Sequence, residues 1–103
     1  MSETRELTGP LVRMLKQMGI IAFRMQSGQV RVRGAWMHLC PEGTADILCF
    51  PRGPVTWIET KLPKGSTAKS RKETQAAFRE SVEAIGHRYI LATSIDEVLK
   101  ALS

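Results

Sequence analysis

Two apolar stretches, "ADILCF" (45–50) and "VTWIETKL" (55–62), are separated by only "PRGP". Two prolines and a glycine within four residues favour a tight reversal, so the stretches are expected to become neighbouring strands. Both read as apolar strands, the second with the pattern of a buried one. The second strand carries an anomaly. Alternation puts Val55, Trp57, Glu59 and Lys61 on one side and Ile58 and Leu62 on the other. A carboxylate and an ammonium therefore share a face with a tryptophan. Such a pair is either a local salt bridge or part of a site.

The remaining pattern supplies the other elements. "GPLVRMLKQMG" repeats apolar residues at Leu11, Val12, Leu15 and Met18, a helical spacing that stops at Gly19. Thr8 is read as its cap, with Pro10 in the first turn, while Ser2 offers an earlier start. "IIAFRM", "QVRVR" and "AWMHLC" read as three strands, with "SG" (Ser27, Gly28) as the first turn and "PEGT" as a loop before the apolar pair. After Pro63, "KGSTAKSRK" reads as a polar loop. A helix then runs to about Ile85, with Phe78, Val82 and Ile85 on one face and Gly86 as its stop. "RYILA" is the last strand. "SIDE" (Ser94–Glu97) is a capping box that opens a short helix through Leu102. The order α, several strands, α, β, α predicts an α/β (mixed α+β) fold with a mixed sheet flanked by helices.

The 103 residues fit a single domain, 1–103. No apolar run reaches the roughly 18 residues of a membrane span, and the first ten residues lack the apolar core of a signal peptide. Cys40 and Cys49 are too few for a disulfide framework and too far apart for a metal knuckle, so both are read as reduced core residues of a cytoplasmic protein. The net charge is +5. From Lys61 to Lys72 there are five cations (Lys61, Lys64, Lys69, Arg71, Lys72) and no acid, and Arg24, Arg31 and Arg33 form a second cluster. Such a surface suits a polyanion, of which nucleic acid is the commonest in the cytosol. The plainer alternative is a solvated surface.

Chemistry concentrates around the anomalous strand. Asp46 begins the preceding strand, thirteen residues before Glu59. Across the "PRGP" turn the two carboxylates are expected to converge on one sheet face and hold a hard cation such as Mg²⁺ with the help of water. Lys61, one pleat further on, would face whatever that cation binds. Gln75 lies three and seven residues before Phe78 and Val82, on the same inward face of its helix and near an N-terminus that favours anions. His38, beside Trp36 and Leu39, is read as a structural histidine and Glu42 as a solvated loop acid. Trp36 and Trp57 are read as core residues rather than base-stacking ones. There is no Ser/His/Asp or Cys/His arrangement, and "KGSTAKS" lacks the glycine spacing of a phosphate loop.

Together these residues resemble the PD-(D/E)XK nuclease superfamily, and within it the virus-type replication-repair nuclease (VRR-NUC) family, above all small stand-alone members from phages and bacteria. The resemblance runs through "FRMQSGQVRVRGAWMHL", "GTADILCF", "WIETK", "QAAF" and "SIDEVLKAL". It implies a restriction-endonuclease-like core and a Mg²⁺- or Mn²⁺-dependent endodeoxyribonuclease. In it Asp46 and Glu59 bind the metal with the backbone carbonyl of Thr60, and Lys61 and Gln75 complete the catalytic set. Arg31, Arg33, Lys64, Lys69, Arg71 and Lys72 would contact DNA phosphates. The family usually has Pro where this chain has Ala45. Its first-helix Glu has no aligned counterpart here: Thr8 falls near that place, and Glu6, ahead of Glu3, is the candidate. Similar stand-alone members act as homodimers on four-way (Holliday) junctions, which suits two sites on two strands of a symmetric substrate. The bacterial cytosol or a phage-infected cell is the implied location. A flap- or nick-cutting repair or restriction endonuclease, and a DNA-binding module without hydrolysis, remain as alternatives.

Overall fold

A computed structural model describes residues 7–26, 29–62 and 69–103. The Ser27–Gly28 turn, Ser2, Glu3, Glu6, Lys64 and most of the 63–72 loop fall outside the described residues. The elements are α1 (Gly9–Gln17), β1 (Ile21–Arg24), β2 (Gln29–Val32), β3 (Ala35–His38), β4 (Ile47–Phe50), β5 (Thr56–Thr60), α2 (Lys69–Ala84), β6 (Arg88–Ala92) and α3 (Ile95–Leu102). The main sheet is mixed, in the order β1-β4-β5-β6. The β1/β4 and β4/β5 pairs are antiparallel; β5 and β6 are parallel, as the intervening helix α2 requires. The apolar pair does form the predicted hairpin, with Ile47 opposite Ile58 and Cys49 opposite Thr56.

Alternation along the strands builds two cores. On one face Ala22, Ile47, Cys49, Ile58 and Ala92 meet Leu11 and Leu15 of α1 and Val98 of α3. On the other, Trp57 and Tyr89 meet Val82 and Phe78 of α2, with Ala45 beside them. The strands β5 and β6 are thus sandwiched between helical layers. The α2 layer does not extend over β1, where Ile21 and Phe23 are exposed, as is Phe50 on β4.

Four details differ from the sequence reading. First, α2 begins no later than Lys69. Lys69 to Lys72 already belong to it because nothing from there to Gly86 breaks a helix and Lys and Arg favour one. Second, Ile85 is 69% exposed, since α2 ends at Ala84 and Gly86 turns the chain at φ +91. Third, Thr8 has helical dihedrals and makes no side-chain cap; its hydroxyl is engaged elsewhere. Fourth, among the described residues β2 and β3 pair only with each other, Arg31 opposite Trp36 and Val30 opposite Met37. This ribbon turns through Arg33 (φ 51) and Gly34 (φ 80), a two-residue turn with both central residues left-handed. That conformation costs a non-glycine residue about 1–2 kcal/mol. The α3 capping box forms as read, Ser94 Oγ accepting from the N–H of Glu97.

Candidate active site

The residues singled out around β5 collect at one end of the main sheet. The ladder of β1 and β4 runs on past its last full pair, the Met25 N–H donating to the Asp46 carbonyl at 2.7 Å. The backbone of Asp46 is thereby pinned one residue before β4, level with the end of β5. The strand bends at this point. Ala45 joins the α2-side cluster, and the Asp46 side chain turns to Thr60 instead of simply following the alternation. Its Oδ2 accepts from the Thr60 N–H at 2.9 Å and from the Thr60 hydroxyl at 2.8 Å.

The Thr60 hydroxyl lies 2.6 Å from that of Thr8, both threonines being buried. The direction of this bond follows from chemistry. The Thr60 proton is committed to a carboxylate oxygen, which only accepts, so Thr8 must donate to Thr60. A chain of donors Thr8 → Thr60 → Asp46 therefore runs from the start of α1 into the sheet. Thr8, which the resemblance sets near the place of a first-helix Glu, lies at the site and carries a hydroxyl there. Glu6 falls outside the described residues.

The two carboxylates do not share one sheet face as alternation predicts: the bend at Asp46 turns its side chain to Thr60 on the α1 side, while Glu59 lies on the opposite face of β5, towards α2, and is only 4% exposed. Its Oε2 accepts from the amide of Gln75 at 2.8 Å, and its Oε1 is shut off from solvent. Gln75 reaches it from α2, on the inward face that its spacing from Phe78 and Val82 predicts. Lys61 is half-buried just beyond β5, its N–H bonded to the Ala92 carbonyl of β6 at 2.9 Å. In a strand the N–H and C=O of one residue share an edge, so the Thr60 carbonyl lies on the side of Asp46.

Two neighbours that sequence reasoning missed complete the arrangement. Gly43 (φ +87), in the loop leading to Asp46, lies so close to α2 that a Cβ there would sit 2.4 Å from the Thr74 carbonyl oxygen. The loop and the α2 turn that bears Gln75 are locked together by a missing side chain. Tyr89 of β6 lies beneath Phe78, with the Arg79 guanidinium 5.1 Å from its ring centre. Burial, then the charge of Glu59, with a smaller contribution from Asp46, pushes its phenol well above the usual range. Both carboxylates therefore act on one buried side chain. A buried hydroxyl at position 60, on the face that Thr56 and Ile58 share, is the signal that could have pointed to a partner; nothing local named Thr8.

Of the proposed phosphate-contacting residues, Arg31 and Arg33 are exposed on the β2–β3 ribbon, and Lys69, Arg71 and Lys72 are exposed on α2. Lys64 is outside the described residues. Trp57 packs edge-on to Phe78 (5.0 Å) and donates from Nε1 to His87 Nδ1 at 3.0 Å, as a core residue should. Trp36 does not: it is 62% exposed, because the ribbon stands apart from the sheet and no layer among the described residues covers it. The His38 side chain is not among the described groups, and Glu42 is a solvent-exposed loop acid. Both cysteines are free; Cys49 is buried in the core and Cys40 is half-buried, less enclosed than the sequence suggested.

Among the described residues no three His, Cys, Asp or Glu side chains form a metal-binding group, and no helix is long and apolar enough to cross a membrane. Comparison with models of known families, with curated proteins and with solved structures finds no match for this chain.

Proposed function

We propose that the protein is a metal-dependent endodeoxyribonuclease with a PD-(D/E)XK-type core, acting as a homodimer on branched DNA, four-way junctions foremost. The observation that carries this is the pair of held carboxylates at one sheet end, Asp46 on Thr60 and Glu59 on Gln75, directly before Lys61. A single salt bridge would need neither the hydroxyl chain nor the amide.

The donor set fits a small hard cation. Asp46 spends Oδ2 on two protein donors and keeps Oδ1 for another partner, while Glu59 contributes a buried oxygen and Thr60 a carbonyl on the same edge. Mg²⁺ asks for one or two carboxylates and completes its shell with water, so two acids suffice. Asp46, Glu59 and the Thr60 carbonyl would hold Mg²⁺ or Mn²⁺, which when bound polarises a phosphodiester oxygen and lowers the pKa of bound water. The chain does the rest. Thr60 and Gln75 fix the two carboxylates before any ligand arrives, so little reorganisation remains. Lys61 balances phosphate charge and orients the attacking water. Lys69, Arg71 and Lys72 on α2, with Arg31 and Arg33, hold the DNA backbone and carry no sequence information.

The uncovered apolar face of β1 and β4 (Ile21, Phe23 and Phe50) supports the homodimer, since an exposed patch of this kind marks an interaction surface. The test is cleavage of end-labelled four-way junction, flap and linear duplex with Mg²⁺, Mn²⁺ or EDTA, beside Lys61→Ala. Paired symmetric cuts in the junction alone, lost with EDTA and in the variant, are expected. Cutting of flap or linear DNA discards the junction preference. Binding without any cutting leaves a DNA-binding module.

A further inference from the structure

We infer that the β2–β3 ribbon is a nucleic-acid arm whose Trp36 stacks on bases with an unstacked face, the kind exposed at a branch point, flap or single-stranded gap. This rests on the nucleic-acid reading above and adds which part of the DNA the ribbon recognises.

Position comes first. The ribbon is closed at its base by the Cys40 N–H donating to the Gln26 carbonyl at 2.8 Å. Gln26 directly follows Met25, the residue whose N–H holds the Asp46 backbone. The ribbon therefore grows out of the sheet at the same end as the carboxylate pair, and whatever lies across that site passes its base.

Charge comes next. Between Glu6 and Glu42 the sequence contains no acid, and the ribbon itself adds Arg31 and Arg33. A second copy of this chain, net +5, would meet the ribbon with like charge unless an acidic patch faced it; a polyanion meets it with opposite charge.

The turn is the third observation. Arg33 occupies a left-handed position (φ 51) that Asn or Gly adopts with less strain, and it is exposed. No contact among the described residues accounts for placing a strained arginine at the tip. A partner carrying negative charge does, since a strained residue held at a surface tip points to function.

Trp36 then selects the form of nucleic acid. It lies opposite Arg31, whose guanidinium is 6.0 Å from its ring centre, and remains 62% exposed. An indole next to a cation is a stacking platform, and a base can use it only when its own face is free. In duplex DNA those faces are already stacked on neighbours, so the platform discriminates in favour of unstacked bases. The other ribbon face, with Val30, Val32 and Met37, is apolar and suits contact with unstacked base edges and sugars.

The test uses fluorescence anisotropy in EDTA, so that cleavage plays no part. Labelled single strand, duplex of the same sequence and four-way junction are titrated with wild type, Trp36→Ala, Trp36→Phe and Arg33→Asn across a salt series. Trp36→Ala should weaken single-strand and junction binding roughly five- to 150-fold and duplex binding little, with an unchanged salt slope. Trp36→Phe should restore most of the affinity. Arg33→Asn should flatten the salt slope by about 0.7–0.9 on every DNA, the equivalent of one phosphate, without lowering the melting temperature. Undiminished single-strand binding by Trp36→Ala overturns the arm and leaves the nuclease reading standing. So does a drop in solution mass of that variant by light scattering, which would make the ribbon a contact between copies. If wild type binds none of the three DNAs, the nucleic-acid reading fails and the arm fails with it.

Discussion

Thr60→Val removes one hydroxyl from a position with no solvent exposure and leaves the shape almost unchanged. Two bonds go with it: the one Thr60 donates to Asp46 Oδ2 and the one it accepts from Thr8. A hydrogen bond to a charged group is worth about 1.5–3 kcal/mol, and a buried donor left unsatisfied costs about 1–3 kcal/mol. Asp46 still receives the Thr60 N–H, so the lower half of each range applies. The expected destabilisation is about 2.5–4 kcal/mol. Thr8→Val is milder, about 0.5–1.5 kcal/mol, because Thr60 can still donate to Asp46. In the double variant Thr8 no longer has a proton to strand, so the two effects should not add. A coupling of about 1–2 kcal/mol follows.

Urea unfolding of the four proteins measures all of this. With a slope of about 2 kcal/mol per molar urea, the Thr60→Val midpoint should fall by about 1–2 M. The order of severity is the discriminating result. If Thr8→Val destabilised more than Thr60→Val, or if the two effects simply added, the donor chain inferred from Thr8 to Asp46 would be wrong.

Other outcomes are equally specific. Gly43→Ala should cost at least about 2 kcal/mol in the same assay, since the new methyl meets the Thr74 carbonyl and the backbone is left-handed. Stability should fall at alkaline pH. Burial, opposed in part by Arg88, pushes the Cys49 thiol up to about 11 from its ordinary 9.0. The folded state thus holds that proton more tightly, and the stability it contributes is full below about pH 9 and disappears as pH rises through about 11. Tyr89 acts in the same direction, and Cys49→Ala should make the decline of the urea midpoint between about pH 9 and 11 shallower. Replacing Lys69 and Arg71 by Ala should flatten the slope of log affinity for duplex DNA against log salt by about 0.9 for each phosphate no longer neutralised.

The readable parts of the sequence were those governed by local rules. The Pro/Gly reversal set the pairing of β4 with β5, the Ser94–Glu97 box set the start of α3, and helical spacing from Phe78 placed Gln75 inward. What escaped depends on distance along the chain. Thr8 looks like a helix cap when only its neighbours are considered; its actual partner is 52 residues away. Trp36 looks like core because it is large and apolar, but whether a strand is covered is decided by which sheet it joins. Ribbon residues alternate in the same way whether or not a layer lies over them. Ile85 fits the helical stripe of Phe78 and Val82, yet the helix stops one residue too early to bury it.

The two carboxylates are anchored to opposite layers, so the site and the fold depend on each other. Asp46 is held through Thr60 by Thr8 at the start of α1, and Glu59 by Gln75 from α2 on the far face. Neither of these anchors reaches both acids, so the pair has its geometry only when both layers are docked on the sheet. On the proposed reading a cation joining Asp46 to Glu59 binds the folded chain alone, and should stabilise it by about 2.7 kcal/mol at a hundred times its dissociation constant. The same linkage means that loosening either layer weakens the cation's hold without removing a ligand. Thr60→Val and Gln75→Ala should each reduce the rise in melting temperature that Mg²⁺ gives, although they act on opposite faces, while Asp46→Asn should abolish it. An undiminished rise in Gln75→Ala, with none in Thr60→Val, would mean that Glu59 takes no part, and that whatever Asp46 binds is held from the α1 side alone.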